Sequence, residues 1–365
     1  MKKVKMGIIG CGNISSIYLQ NCKNVFEILD LAGVADIDME RANAKAEEYS
    51  IKAYTVDEML ADKEIEIILN LTIPNAHYDV CKRALEAGKN VHVEKPLSIT
   101  REQGAELLAL AESKGLLLGA APDTFMGAGI QTCIKLINDG WIGTPVAATA
   151  FMTCHGHEGW HPDPEFYYKV GGGPMFDMGP YYLTALVSML GPVKRVCGSA
   201  RKSFDTRTIT SEKKRGTIID VEIPTHIAGV MDFENGAVGT IITSFDVWGA
   251  NLPCIEIYGS EGSISVPDPN CFGGPVKVKR LKQEGFTEVP LAFGYEENSR
   301  GIAVADMAYA IREGRQNRAN GKLANHVLEI MHAFHDASAS GSYYNLKTSC
   351  ARPEPLGMAL RHGTL

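Results

Sequence analysis

A short apolar run, Val4–Ile9, passes directly into Gly10-Cys11-Gly12-Asn13-Ile14-Ser15. A Gly-x-Gly turn between an N-terminal strand and a helix constrains the chain strongly. The strand must lie inside a parallel sheet, and the turn must leave room for something against its backbone. Gly10 permits the tight turn. Gly12 lets a pyrophosphate approach, where free N–H groups and the dipole of the following helix stabilise it. Asn13 and Ile14 complete the loop, and Ser15 stands where a third glycine is common. Asp36 ends the next apolar run, 24 residues after Gly12. A carboxylate there can bind both hydroxyls of an adenosine ribose and repels a 2′-phosphate. Ile37 follows rather than arginine, which favours NAD over NADP. The competing reading of Asp36 is a solvent-facing helix cap.

The first 120 residues keep this rhythm. Strands are predicted at Val4–Ile9, Leu29–Ala35, Ile65–Leu71, Asn90–Val93 and Leu116–Gly119, with a short one near Ala53-Tyr54. Helical spacing covers Ile14–Asn21, Met39–Tyr49, Ala76–Ala87 and Arg101–Ser113, with Gly88 and Gly115 at helix ends. Such alternation gives a parallel sheet with helices on both faces. After about residue 122 the period changes. Helices are expected at Gly129–Asn138 and Met175–Leu190, then mostly strands from Val193 to Leu281, then helices at Gly301–Glu313 and Leu323–Ser338. Glu234-Asn235-Gly236 is a hairpin signal, and Gly259-Ser260-Glu261-Gly262 joins another strand pair. The expected fold class is α/β: a Rossmann parallel sheet, then an α+β domain with a large, mostly antiparallel open sheet. The expected domains are 1–122 for NAD binding and 123–365 for substrate binding and oligomerisation, with the late helices packing back on the first. One open sheet face argues for a homo-oligomer.

Composition narrows the function classes. The chain has 365 residues, 36 basic and 43 acidic, and its longest basic cluster is Lys213-Lys214-Arg215. Nucleic-acid binding needs a dense basic face, so no nucleic-acid partner is expected. Nine cysteines are scattered, odd in number, with no C-x-x-C pair. That excludes a disulfide framework and fits a reducing cytoplasm. No apolar run reaches the roughly 18 residues of a membrane helix, so no membrane partner is expected.

Two further motifs fall at the carboxyl ends of predicted strands, where open α/β sheets bind ligands. They are Thr72-Ile73-Pro74-Asn75-Ala76-His77 and Glu94-Lys95-Pro96. Downstream comes Gly171-Gly172-Gly173-Pro174-Met175-Phe176-Asp177-Met178-Gly179-Pro180-Tyr181. In this order, over nearly the whole chain, the motifs resemble the Gfo/Idh/MocA oxidoreductases. The resemblance implies that Gly10, Gly12, Asn13, Ile14, Asp36, Thr72, Pro74, Asn75, His77, Glu94 and Lys95 surround NAD, either exchanged each turn or tightly held. It implies that Lys95 sits between nicotinamide and substrate, where an ammonium stabilises charge developing on the reacting oxygen. Asp177 matches the aspartate of the family's D-x-x-x-H, which binds substrate. The histidine, the usual general acid/base, is replaced by Tyr181.

That departure leaves three solutions open. Tyr181 works as an acid/base with its pKa lowered by Lys95, a histidine from elsewhere replaces the missing one, or the protein oxidises no alcohol. Cys154-His155-Gly156-His157-Glu158-Gly159-Trp160-His161-Pro162-Asp163 supplies candidates. His157–His161 satisfies H-E-x-x-H, but Gly156, Gly159 and Pro162 oppose the helix that a zinc protease needs. A non-helical metal site built from some of His155, His157, His161 and Asp163 is the lesser alternative, and no metal is expected. As a substrate loop, Trp160 offers a flat face for a sugar ring, His155 and His157 can bond hydroxyls, and His161 is the candidate proton acceptor. Asp123 and Thr124, where an arginine is commoner in the family, are expected to face the sugar. Trp160–Tyr168 and Gly173–Tyr182 resemble a branch with bacterial glycoside 3-dehydrogenases acting on plant C-glucosides.

The expected activity is NAD-dependent oxidation of a secondary hydroxyl of a sugar or glycoside, with glucoside C3 as the favoured carbon. The alternatives are a redox-neutral lyase or glycosidase that retains NAD, and a non-enzymatic NAD-binding regulator.

Overall fold

A computed structural model describes all 365 residues. Six parallel strands, β1 (Val4–Ile9), β2 (Leu29–Ala35), β3 (Lys52–Tyr54), β4 (Ile67–Asn70), β5 (Asn90–Val93) and β6 (Leu118–Ala120), form a sheet in the order β3-β2-β1-β4-β5-β6. The order reverses direction at β1, which places a crevice at the carboxyl ends of β1 and β4. Five helices cross between the strands: α1 (Ser15–Asn24), α2 (Met39–Tyr49), α3 (Val56–Ala61), α4 (Pro74–Glu86) and α5 (Arg101–Ser113). Local chemistry sets their starts. Asp38 accepts from the amides of Glu40 and Arg41. Thr55 with Glu58, and Thr100 with Gln103, form reciprocal capping boxes. Pro74 opens α4, where a missing N–H costs nothing.

The remainder comprises α6 (Ala128–Asn138), β7 (Pro145–Thr153), α7 (Pro174–Asp177), α8 (Gly179–Leu190), β8 (Val193–Arg201), β9 (Thr206–Thr208), β10 (Ile218–Asp220), β11 (His226–Phe233), β12 (Val238–Ser244), β13 (Ile255–Gly259), β14 (Gly262–Val266), β15 (Val276–Arg280), β16 (Thr287–Val289), α9 (Ile302–Glu313), α10 (Gly321–Ser340) and β17 (Tyr344–Asn345). Nine of these strands form one sheet, β16-β15-β14-β13-β7-β12-β11-β8-β17, antiparallel except where β7 runs parallel to β12. β9 and β10 form a separate ribbon. The sheet is as expected from the sequence, but its central strand β7 was not. Its Ala-Ala-Thr-Ala pattern alternates without strong hydrophobicity, and burial on one face alone shows its place.

The helix expected over Met175–Leu190 is divided at Met178, where Gly179-Pro180 begins α8 with a residue that lacks an amide hydrogen. Every residue of α8 is buried, as befits a helix enclosed on all sides. α10 packs on β8 of the large sheet and also on α5 and β6, so it clamps the two halves. No helix is long and apolar enough to cross a membrane.

Candidate active site

The nucleotide loop has the shape its residues imply. Gly10 adopts φ +107°, and a Cβ there would stand 2.6 Å from the Leu71 carbonyl carbon. Only glycine lets β1 turn this close to the end of β4. A Cβ on Gly12 would meet nothing within 4 Å, so the backbone borders open space. The start of α1 carries no side-chain cap: Ser15 N turns back to the Gly12 carbonyl (3.0 Å), and no side chain covers the N–H groups that follow. Asp36 is buried at the end of β2, with one oxygen accepting from Cys11 N (2.8 Å) and the other from Asp38 N (2.9 Å). The carboxylate is therefore fixed beside the loop, and each oxygen retains a lone pair for a ribose hydroxyl. These features fit a bound dinucleotide.

A cleft of about 300 Å³ continues from this loop. Ile14, Thr72, Pro74, Glu94 and Lys95 line one side, and Phe166, Tyr167, Gly171, Gly172, Phe176, Asp177 and Tyr181 the other. Glu94 accepts from Tyr18 Oη (2.7 Å) and from Lys95 N (2.9 Å), which fixes the turn carrying Lys95. Thr72 is folded onto Asn70, with its Oγ1 donating to Asn70 Oδ1 at 2.7 Å. His77 is fully buried between Pro96 O (2.7 Å) and Thr72 O (3.0 Å). It ties the two loops together and does not line the cleft. Asn13 and Asn75 lie on the surface.

Across the cleft, Lys95 Nζ donates to Asp177 Oδ1 (2.9 Å) and to the Asp177 carbonyl (2.8 Å). The other carboxylate oxygen, Oδ2, lies 3.2 Å from His157 Nε2. Lysine, aspartate and histidine thus form one chain of contacts from three distant segments, each side chain less than one-fifth exposed. Burial opposes ionisation of Asp177, but Lys95 and His157 prevail and hold its carboxyl at about 2. Burial likewise disfavours the Lys95 ammonium. The Asp177 charge outweighs it, with help from Tyr181 and Glu94, and Lys95 is held above its ordinary range. At neutral pH this is an ammonium that donates hydrogen bonds, not a base.

The structure therefore brings His157, expected only as a hydroxyl ligand, onto the Asp177 carboxylate, although His157 itself is not among the residues that line the cleft. His161, the expected proton acceptor, lies elsewhere. Its Nδ1 accepts from Asp163 N (3.0 Å), and its ring packs against Phe166 and Tyr167. Tyr181 lies under Lys95, whose Nζ is 5.3 Å from the ring centroid. Burial pushes the phenol above its ordinary range, and the opposing charges of Lys95 and Arg300 do not reverse the shift. The lysine-lowered phenol considered from sequence is not formed.

Other expected contacts fall away for identifiable reasons. Asp123 is 1% exposed and accepts from Gly301 N (2.8 Å) at the start of α9. Thr124 is buried beside it, and neither lines the cleft. His155 stacks on Trp248, ring centroids 3.4 Å apart, and borders a different hollow. Trp160 is 64% exposed and meets His157 edge-on at 5.2 Å, at the rim. Tyr167, Phe166 and Phe176 line the cleft without having been singled out, because aromatics near a glycine run carry no signal of their own. No three His, Cys, Asp or Glu side chains stand close enough together to hold a metal ion.

Comparison with known proteins bears on the family and the fold. Residues 4–121 match the model of an oxidoreductase family with an NAD-binding Rossmann fold, and residues 130–265 match the GFO/IDH/MocA C-terminal domain. The uncharacterised oxidoreductase YfiI of Bacillus subtilis is 29% identical over 72% of this chain and 70% of its own. The dTDP-3,4-didehydro-2,6-dideoxy-alpha-D-glucose 3-reductase of Streptomyces antibioticus is 28% identical over 89% of this chain and 92% of its own. A levoglucosan dehydrogenase solved with NADH and L-sorbose shares the fold, with TM-score 0.81 and 20% identity over 95% of this chain and all of that one. Family models thus account for both halves in their proper order, and the chain belongs to the Gfo/Idh/MocA oxidoreductases, as an NAD-dependent enzyme.

Proposed function

We propose that this enzyme moves a hydride between nicotinamide and a secondary hydroxyl carbon of a sugar or glycoside, with C3 of a glucoside as the favoured position. The observation that carries the reading is the Lys95–Asp177–His157 chain across the cleft from the nucleotide loop. The sugar reductase and sugar dehydrogenase among its relatives support the substrate class. Bound NAD supplies the hydride acceptor at its nicotinamide ring.

The protein's own groups do the rest. The Lys95 ammonium has one N–H left after its two bonds to Asp177, and it donates this to the reacting oxygen. Charge that grows on that oxygen is stabilised where it forms. The hydroxyl proton leaves towards the Asp177–His157 pair. The imidazole takes it at Nε2, its Nδ1 keeping the ring proton, and the Asp177 carboxylate, 3.2 Å from Nε2, balances the resulting charge. Aromatic walls from Phe166, Tyr167 and Phe176 exclude water and present flat faces to a pyranose ring.

A homo-oligomer in the cytoplasm belongs to the same proposal. Half-buried Phe151, Val230, Ile242 and Tyr258 on the large sheet are the surface that would pair, and light scattering of the purified protein tests it. Residues 1–122 would serve the nucleotide and 123–365 the substrate and the pairing. The carbon is tested with a glucoside deuterated at C3. Transfer of deuterium to NAD supports C3 oxidation; turnover that leaves the label in the sugar assigns another carbon.

A further inference from the structure

The H-E-x-x-H segment forms no helix, yet its glutamate is among the most enclosed charges of the chain. Glu158, Arg207 and Asp246 have side chains only 10%, 6% and 8% exposed. Arg207 donates to Glu158 Oε1 (2.8 Å), to the Phe245 carbonyl (2.8 Å) and to the Asp246 carboxylate. Tyr168 Oη donates to Glu158 Oε2 and accepts from the backbone N–H of His157 at 3.3 Å. The Glu158 carbonyl accepts from Thr210 N and Ser211 N, each at 2.9 Å. Asp246 is held in turn by Thr225 Oγ1 at 2.7 Å.

Charges this deep are poor sources of stability, because desolvation cancels most of their attraction and apolar side chains of similar volume often do as well. Their value here lies in what they grip. The network fixes the amide of His157, both the side chain and the carbonyl of Glu158, and the carbonyl of Phe245, against whose ring His157 packs at 4.7 Å. Apolar residues could fill the space but could not hold these polar backbone groups. The segment needs such a grip: residues 154–164 contain no helix or strand, and Gly156 and Gly159 flank the pair. The His157 carbonyl accepts from Trp160 N (3.3 Å) and His161 N (2.9 Å), which shapes the turn itself, and the Arg207–Glu158–Tyr168 network fastens that turn to the rest of the domain.

We propose that Arg207, Glu158 and Tyr168 are positioning residues that hold the His157 imidazole on Asp177 and affect turnover only through it. The proposal rests on His157 as proton acceptor, the reading given above. The H-E pair thereby gains a use: the histidine does the chemistry, and its neighbour anchors it.

The test compares Tyr168→Phe and Glu158→Gln with the intact enzyme, using NAD and methyl β-D-glucopyranoside as probes. Tyr168→Phe removes one oxygen from a buried ring and leaves the ion pair in place. The expected result is a fall in kcat of about tenfold, with KM and NAD affinity within threefold. Glu158→Gln should retain more activity than Glu158→Ala. A double-mutant cycle decides the matter: in a His157→Ala background, Tyr168→Phe should change kcat less than twofold, because no imidazole remains to be positioned. An equal loss in both backgrounds overturns the proposal and leaves a general scaffold. His157→Ala at the wild-type rate overturns the proton assignment and this proposal with it, whereas a slow His157→Ala beside an unaffected Tyr168→Phe overturns the network alone. A readout free of turnover is the His157 ring signal in NMR of 15N-histidine protein. It should shift or broaden in Tyr168→Phe as the ring loses its fixed place, and an unchanged signal counts against the proposal.

Discussion

Replacing Lys95 with methionine should damage stability and turnover in ways that pH can separate. In the native protein Lys95 Nζ lies 2.9 Å from Asp177 Oδ1. At an effective dielectric constant of about 20, that separation corresponds to about 6 kcal/mol of gross attraction. Desolvation of both groups offsets part of this, and removal of one partner from a buried pair costs about 3–5 kcal/mol. Lys95→Met should therefore lower the unfolding free energy by that amount at pH 7, measured by urea denaturation. The deficit should shrink towards pH 4. Wild-type Asp177 has a depressed pKa of about 2, so its contribution is present above the usual value of 3.8 and is lost only as pH falls through about 2. Without Lys95, burial drives that carboxyl upwards, so it takes up its proton at a higher pH than in the wild type and sheds the uncompensated charge. Turnover should fall by about 10²–10³, the cost of one donor to a developing oxyanion, and should not recover at pH 4. Lys95→Met that matches the wild type within about 0.5 kcal/mol at pH 7, or retains turnover within threefold, would refute this account of the Lys95–Asp177 pair.

Three further outcomes follow from the same geometry. His157→Ala should reduce kcat by about 10²–10⁴, as expected for loss of a general base, while His161→Ala stays within threefold; steady-state kinetics of the two variants side by side check this. Asp36→Ala should weaken NAD binding more than tenfold in calorimetry with an unchanged circular dichroism spectrum, since the carboxylate is fixed by backbone amides and touches no core group. Burial pushes the Asp123 carboxyl up to about 6 from 3.8, so the folded state holds its proton longer than the unfolded one. This group's contribution to stability is greatest below pH 4 and falls by about 3 kcal/mol as pH rises to about 6; Asp123→Asn should flatten that part of the stability profile and leave kcat within threefold.

The nucleotide half was legible because its signals are local. Gly10 and Gly12, the helix-ending Gly88 and Gly115, and the short β-branched runs each act within a few residues of the element they set, whereas the short helix Val56–Ala61 was missed. The large sheet was legible where turns punctuate it, at Glu234-Asn235-Gly236, and not at β7, whose alanines and threonines look like loop until β12 and β13 flank them. In the site, Lys95 and Asp177 were legible from their motifs. The histidine was not: His155, His157 and His161 are chemically alike in sequence, and only the anchor at Glu158 decides which one reaches Asp177. Asp123 looked like a ligand at a strand end because its partner, Gly301, lies 178 residues away.

The central claim is that the Lys95–Asp177–His157 centre oxidises a sugar hydroxyl with NAD. Its most direct test is absorbance at 340 nm as a panel of sugars and glycosides is added to the purified enzyme with NAD. The account predicts a rise with at least one of them, continuous if NAD exchanges and stoichiometric if it is retained, and abolished in Lys95→Ala. No change with any sugar, in protein shown to bind NAD, would contradict it and return the weight to a regulator without catalytic activity.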